Sequence, residues 1–199
     1  MRHAQWEQFE RAVSTPLPIG TRGTESVPRF GRVTVSGKLD AGRQILLDNR
    51  VQDGVAGYDV LTPLELASHR LLLIDRGWVP FAGVRSRLPN IAVDAPAFVT
   101  VTGRIDNLPV AGLAMGHAPP VLTDPWPKVT SFPTAEELEA AYGRPIERRL
   151  LLLDPDQPYG YLRRWEPPGI PPQRHWAYAY QWWSFAILAA VLWFYMALR

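Results

Sequence analysis

Hydrophobic and polar residues alternate along several short stretches of this chain, which is the pattern of half-buried β-strands. The alternation is clear over residues 33–40 and 44–50, and the turn at Gly42 between them predicts a β-hairpin. Residues 57–63 predict a further strand, and the run 71–79 is apolar enough to lie at the centre of a sheet. The pattern therefore predicts a mainly β fold.

Two of these stretches recur further along the chain. Residues 99–106 repeat residues 33–40 almost letter for letter, and residues 150–154 echo residues 71–75. We interpret the repetition as two similar β halves that close into one barrel or sandwich, with a glycine in the first repeat marking a bulge or bend. A chance similarity between short strands is the alternative.

One short helix is predicted among the strands. Thr134 and Glu137 have the spacing of a capping box, Pro133 precedes them, and Gly143 follows the segment as a stop signal. Because the segment is rich in glutamate, we expect a surface helix that takes no part in chemistry. The predicted fold class is mainly β (α+β), a β-barrel or sandwich-like domain with one short surface helix and a carboxy-terminal transmembrane helix.

The transmembrane prediction rests on the longest apolar run of the chain. Residues 176–198 contain no charged residue, glycine or proline. As a helix the run would be about 34 Å long, enough to cross a hydrocarbon core of about 30 Å. Its first half is rich in tryptophan and tyrosine, as in the aromatic belt at a membrane surface. A buried helix of a globular core is the alternative.

The predicted elements divide the chain into four parts. Residues 1–29 form an amino-terminal segment, and residues 30–154 form a β-rich extramembrane domain. Residues 155–174 form a spacer that contains six prolines, so we expect it to be stiff and extended. Residues 175–199 form the transmembrane helix.

Composition argues against several function classes. The chain has no cysteine, which excludes disulfides, thiolate nucleophiles and zinc–thiolate sites. Its formal net charge of +2 and the lack of a basic stripe argue against a nucleic-acid partner. No motif supplies a nucleophile, a general base or a metal-ligand set, so an enzyme is not predicted. We expect His69 and His117, in predicted loops, to be solvated.

His175 differs from the other histidines because it stands at the start of the predicted transmembrane helix. A neutral imidazole is the usual proximal ligand of haem iron, and aromatic neighbours such as Tyr178 and Trp182 supply a dry, flat surface for a macrocycle. The same helix face carries alanines at about every fourth position, which permits close approach of a cofactor or a partner helix. The alternatives are an imidazole that reaches the headgroups beside Arg174 and an alanine face that contacts lipid.

Five sequence motifs occur in the order in which they stand in one known family. They are Asp48-Asn49-Arg50, Gly54-x-x-Gly57-Tyr58-x-Val60-x-Thr62-Pro63, Arg76-Gly77-Trp78-Val79-Pro80, Pro125-Trp126 and His175-Trp-Ala-Tyr178-Ala-Tyr-Gln181-Trp182-Trp183. In these motifs the chain resembles the surfeit-locus family of cytochrome c oxidase assembly factors, over about residues 30–199. The third and the last motif are the most specific.

The resemblance implies a protein of the bacterial inner membrane that provides haem a to the catalytic subunit of the oxidase, without enzymatic turnover. In that family a β-rich domain on the outer, periplasmic side lies between two transmembrane helices. A histidine at the start of the second helix is the proposed axial ligand of haem a iron, and His175 occupies that position here, close to Tyr178 and Trp182. The family positions of open role are Asn49, Arg50, Tyr58, Arg76, Gly77 and Trp78.

The implied partners are the oxidase catalytic subunit, a haem a biosynthetic enzyme and membrane lipid, with haem a bound transiently. A cofactor-free assembly scaffold or accessory subunit bound to the oxidase is the alternative. The family's first transmembrane helix has no counterpart in the first residues, so we expect Met1 to be an internal methionine or a truncation point. If Met1 is the true start, the positive-inside rule favours a cytoplasmic domain instead.

Overall fold

The computed structural model describes residues 16–18, 23–110, 116–165 and 172–198 of the chain, with side chains in the last helix described from Tyr180 onward. The chain divides into two compact units. One unit lies within Glu10–Trp165 and contains the strands, and the other contains the carboxy-terminal helix.

Eight strands and two α-helices are described. The strands are β1 (Leu17–Pro18), β2 (Arg32–Leu39), β3 (Ile45–Gln52), β4 (Val55–Glu65), β5 (Leu71–Pro80), β6 (Phe98–Asn107), β7 (Lys128–Thr130) and β8 (Ile146–Leu153). The helices are α1 (Ala135–Tyr142) and α2 (Pro172–Ala197), and a 3-10 helix spans Thr24–Ser26. The predicted mainly β fold is confirmed.

Five of the strands close into a barrel. Their order is β2, β6, β8, β5 and β4, and β4 pairs again with the end of β2 at Lys38–Glu65 and Leu39–Leu64. All pairs are antiparallel except β5 with β8, which is parallel. Strand β3 extends the sheet beyond β4, β7 pairs with β3, and β1 pairs with β2.

The barrel interior is filled by aliphatic side chains from all five strands. They are Val33, Val35, Leu64, Leu72, Ile74, Val99, Val101, Ile105, Leu151 and Leu153. These positions alternate along each strand, so the period-2 pattern of the sequence corresponds to the inward face of the barrel. A cavity of about 10 Å³ remains beside Arg76 and Tyr159, which is room for about one water molecule.

The repeated sequences form neighbouring strands. Strand β2 pairs with β6, and β5 pairs with β8, so each repeat lies beside its copy. The β2–β6 pairing runs without a register shift, so of the predicted bulge or bend at Gly37 and Gly103 the bulge is wrong. Each glycine instead permits close packing, because an added Cβ would clash with the carbonyl of Glu65 or Leu152 on the adjacent strand.

The predicted hairpin between residues 33–40 and 44–50 is also wrong. Strand β2 pairs with β6 and the end of β4, whereas β3 forms its hairpin with β4 around Asp53 and Gly54. Both turn residues have positive φ angles, of 51° and 78°, as a tight hairpin turn requires.

Helix α1 begins and ends as its sequence predicts. Thr134 Oγ1 accepts the Glu137 N–H, Glu137 accepts the Thr134 N–H, and Gly143 adopts a left-handed conformation after the last turn. The helix is more than a surface element, however. Its buried residues Leu138 and Tyr142 pack against an aliphatic cluster on the outer face of the barrel sheet.

The first part of the predicted spacer packs against the barrel. The Tyr161 N–H donates to the Arg76 carbonyl, and Trp78 and Leu162 form an isolated antiparallel β-bridge. Trp165 Nε1 donates to the Leu153 carbonyl. Residues 155–165 therefore form a segment that returns along the end of β5. Residues 166–171 of the predicted spacer lie outside the described residues.

Helix α2 covers most of the predicted transmembrane segment, and its described large apolar side chains are more than half exposed. Among the helices in the described residues, none is both long and apolar enough to cross a membrane. The predicted transmembrane helix over residues 175–199 is therefore not supported. The polar side chains of Gln181 and Ser184, and indole and phenol groups that prefer interfaces, lower the apolarity of this helix.

Candidate functional site

Two motif positions of open role, Arg50 and Trp78, lie on one face of the sheet where β3, β4 and β5 run side by side. Arg50 is the cross-strand neighbour of Gly57, and Asp59 is the neighbour of Trp78. Arg50 Nε lies 2.9 Å from Asp59 Oδ2, which makes an ion pair, but the N–H is not aligned for a hydrogen bond. Residues from three separate motifs thus form one cluster on the sheet.

Gly57 lets the indole of Trp78 lie across the sheet. A Cβ at this position would clash with Trp78 Cε2 and Nε1 and with the Val79 carbonyl. Trp78 Nε1 is itself buried and has no hydrogen-bond partner among the described residues. Trp78 Nε1 is therefore a buried donor without a hydrogen-bond partner in the described part of the chain, beside the ion-paired Arg50, and burying a donor unpaired costs about 1–3 kcal/mol.

Two carboxyl groups share this face with Arg50. Asp75 is buried, and burial together with the nearby Asp59 raises its pKa well above the usual range. Its Oδ1 accepts the Gly77 N–H, which opposes the rise. Burial also raises the pKa of Asp59, while Arg50 lowers it. One guanidinium therefore serves a buried carboxyl and a half-buried one, an arrangement that favours a neutral Asp75.

Sequence reasoning did not single out Asp59 or Asp75. A signal for Asp75 was present, because it directly follows four apolar residues of a predicted central strand. A carboxyl in such a run must be buried, and buried carboxyls need partners or a proton.

Arg76 lies on the opposite, inward face of β5 and is 3% exposed. Its Nε donates to the Tyr159 carbonyl at 2.6 Å, and its Nη1 donates to Gln44 Oε1 at 2.7 Å and to Thr62 Oγ1 at 3.3 Å. The guanidinium also lies 5.0 Å from the centre of the Tyr161 ring. Burial lowers the pKa of Arg76, and Tyr161 offsets this lowering only in part.

Gly77 is required by the path of the backbone. Its φ is +106°, and an added Cβ would lie 2.7 Å from the Leu162 carbonyl. The next residue donates from its backbone N–H to that same carbonyl at 2.8 Å. The Arg76-Gly77-Trp78 motif thus fastens residues 159–162 to the end of β5.

Asn49 and Tyr58 have structural environments of their own. Asn49 has a φ of 61° in the irregular part of the β3–β4 pairing, and its side-chain amide donates to Ser131 at 3.4 Å. Tyr58 is buried, packs edge-on against Phe81, and has a pKa raised by burial and by Asp48. Both residues therefore have structural roles in the sheet.

The cluster does not resemble a metal centre. Among the described residues, no group of three or more histidine, cysteine, aspartate or glutamate side chains is placed to hold a metal ion. Arg76 donates to groups on the inner face of the barrel, and Gly77 provides the backbone path that residues 159–162 require, so these two motif positions have structural roles. The Arg50–Asp59–Asp75 cluster with Trp78 is the part of the described structure that has an unpaired indole N–H and carboxyls with raised pKa values.

The helical candidates lie in the other unit. Positions 175, 178 and 182 fall within α2 and are spaced so that they share one helix face. The side chains of His175 and Tyr178 lie outside those that are described. Trp182 is 71% exposed, and its ring stands edge-on to Phe185 with centroids 6.3 Å apart.

Comparison with known proteins gives the family. A model of the SURF1 family matches residues 1–187. The chain belongs to the SURF1 family. A SURF1-like protein of Mycobacterium tuberculosis is 32% identical over 194 residues, covering 93% of this chain and 68% of the relative, and one of Mycobacterium bovis has the same figures. A SURF1-like protein of Dictyostelium discoideum is 41% identical over 49 residues, covering 25% of this chain and 18% of the relative.

The SURF1 match includes both units of the chain. It covers the motif cluster on the sheet and also positions 175, 178 and 182 of α2. The resemblance inferred from the five motifs is therefore confirmed at the level of the family.

Proposed function

We propose that this protein is an assembly factor for cytochrome c oxidase that carries haem a to the catalytic subunit, with His175 as the axial ligand of the iron. Proteins of the SURF1 family are generally oxidase assembly factors, and the family match over residues 1–187 is the observation that carries the proposal. The proposal treats haem a as cargo, bound transiently and released, and not as a resident cofactor.

The residues of α2 suit a flat, apolar cargo. An imidazole at position 175 supplies an iron ligand, and positions 178 and 182 place aromatic residues on the same helix face. The exposed indole of Trp182 offers a surface on which a macrocycle can pack. The barrel cavity is far smaller than a macrocycle, so α2 is the better candidate.

Location and partners belong to the same proposal. We place the protein at the bacterial inner membrane with the β unit on the periplasmic side, where it meets the oxidase catalytic subunit, the enzyme that makes haem a, and membrane lipid. Nucleic acid has no place in this proposal, because the charge is nearly balanced.

A cofactor-free scaffold or accessory subunit is the second candidate. The observation that favours it is a set of exposed aliphatic side chains on the β unit, among them Val51, Val55 and Val84, which are at least half exposed. Exposed apolar side chains of this kind are common at protein–protein contacts, although single ones are normal on any surface.

Complementation of a strain that lacks the gene tests the proposal. Oxidase activity and membrane haem a content are measured with the wild-type gene, with His175→Ala, and with His69→Ala as a control at an exposed histidine of the β unit. We expect wild type and His69→Ala to restore both quantities and His175→Ala to fail at an equal protein level by immunoblot. Full restoration by His175→Ala supports the scaffold, and an oxidase unaffected by loss of the gene refutes the assembly role.

A further inference from the structure

His117 is held between two acceptors, although its sequence context predicted a solvated loop residue. Its Nδ1 lies 3.0 Å from the Phe132 carbonyl, and its Nε2 lies 2.9 Å from Glu137 Oε1 on helix α1. The other carboxylate oxygen of Glu137 accepts the Thr134 N–H of the capping box. The side chain of His117 is 38% exposed, so protons can reach it from solvent.

The protonation state of the His117 imidazole decides whether both of these contacts can be hydrogen bonds. A neutral imidazole has one N–H and one acceptor nitrogen, whereas imidazolium has two donors. A carbonyl and a carboxylate can only accept, so a neutral ring leaves one nitrogen lone pair facing an acceptor. The His117–Glu137 pair satisfies both contacts only when it holds one additional proton.

The ring joins helix α1 to the base of a long loop. Next to His117, Ala118 and Ser131 exchange two backbone hydrogen bonds, of 3.0 and 2.9 Å, and Thr130 Oγ1 donates to the Ala118 carbonyl at 2.6 Å. These bonds close a loop whose tip presents Val121 and Leu122, which are 52% and 61% exposed. His117 therefore lies where this loop is fastened to the rest of the β unit.

Other charged groups near His117 have hydrogen-bond or ion-pair partners of their own. Lys128 Nζ, on β7, donates to the carbonyls of Val121, Leu122 and Asp124. On helix α1, Glu136 pairs with Arg148 and Glu139 accepts the Ile146 N–H. Among the described side chains, Glu137 is the charged group in contact with the ring.

We propose that His117 is a proton-operated latch that fastens the segment 116–132 to the amino-terminal end of α1 when it is doubly protonated and loosens it when it is neutral. The segment it controls includes the exposed apolar tip at Val121 and Leu122. The latch is independent of the proposed haem function, because every residue in it belongs to the β unit. Histidine is the residue type whose charge generally changes within the physiological pH range.

Hydrogen exchange at Ala118 and Ser131 measures the latch directly, because these two amides report on the closed base of the loop. Protection factors of the full-length protein are compared at about pH 5.5 and about pH 8, each corrected for intrinsic exchange. A partly exposed ion pair corresponds to a roughly two- to fivefold change in the opening equilibrium. We expect protection of both amides to fall by that factor as the pH rises.

Two variants make the test specific. Glu137→Gln keeps the capping box, since glutamine also serves there, and its amide can donate to a neutral imidazole. We expect it to abolish the fall in protection, while His69→Gln, at a histidine that is 86% exposed, leaves the fall unchanged. Equal protection at both pH values in wild type, or a fall that persists in Glu137→Gln, overturns the proposal.

Discussion

Asp75 and Arg76 are neighbours on β5, yet the sheet places them on opposite faces, and the two faces accommodate a buried charge differently. Arg76, on the inner face, keeps its charge by donating to Tyr159, Gln44 and Thr62. Asp75, on the outer face, receives one backbone N–H, and burial raises its pKa so that the neutral form is favoured.

The comparison shows that burial alone does not determine how a charge is tolerated. Both side chains are less than 5% exposed. The inner face supplies acceptors that match a guanidinium in number and direction, whereas the outer face places a second carboxyl, Asp59, near the first. A buried charged group that has enough hydrogen-bond partners, such as Arg76, can stay ionised. A buried carboxylate that lacks donors, such as Asp75, instead binds a proton and becomes neutral.

The largest expected effect is that of Arg76→Met, which removes the inner charge at similar volume. The acceptors on Tyr159 and Gln44 would lose a donor while still buried, so we expect a loss of about 3 kcal/mol in the free energy of unfolding. Urea unfolding of the purified full-length protein measures it. Arg85→Met is the control, because the Arg85 side chain is 74% exposed and should change stability by less than about 1 kcal/mol. Similar losses in both variants would show that the inner network contributes little.

A smaller effect is expected from Gly77→Ala, which disturbs the contact between β5 and residues 159–162. The added Cβ meets the Leu162 carbonyl, and a φ of +106° is strained for alanine, so we expect a loss of about 2–3 kcal/mol. Gly54→Ala is the matched control, since Gly54 also has a positive φ but no atom within 4 Å of an added Cβ. We expect about 1 kcal/mol there. A Gly77→Ala variant no less stable than Gly54→Ala would contradict the described path of residues 159–162.

The smallest effect at neutral pH is expected from Asp75→Asn, which mimics the neutral carboxyl. Because the folded-state pKa of Asp75 is raised, the folded protein binds this proton more tightly than the unfolded chain. The associated stability is complete below the unfolded pKa of about 3.8 and is lost as the pH rises through the folded pKa. We therefore expect Asp75→Asn to be at least as stable as wild type at neutral pH and to have a flatter pH dependence of unfolding. A clearly less stable variant would mean that Asp75 is ionised and paired.

The alternation of apolar residues predicted the strands but not all of their neighbours. Residues 33–40 and 44–50 lie in strands, as predicted, yet β2 pairs with β6. A turn between two strands is compatible with a hairpin and with a crossing to another part of a barrel, and only long-range packing decides between them. The Asp53-Gly54 dipeptide was the stronger hairpin signal, and it does form the turn.

Local signals predicted helix α1 more accurately than they predicted the candidate site. Capping by Thr134, Glu137 and Gly143 depends on residues three to nine positions apart, which a sequence shows directly. The contacts of Arg50 with Asp59, and of His117 with Glu137, join different elements of the fold. The order of the motifs identified Arg50 and Trp78 as candidate positions, but it did not identify the neighbouring carboxyls of Asp59 and Asp75.

The reduced-minus-oxidised optical spectrum of the purified full-length protein tests whether His175 is the ligand of haem a. The protein is produced together with the enzymes that make haem a, and wild type is compared with His175→Ala and with His69→Ala as the control. We predict haem a in wild type and His69→Ala, and its loss in His175→Ala, because the iron would lack its ligand. Equal haem a in all three proteins, or none in any of them, would contradict the assignment of His175 as the ligand of haem a.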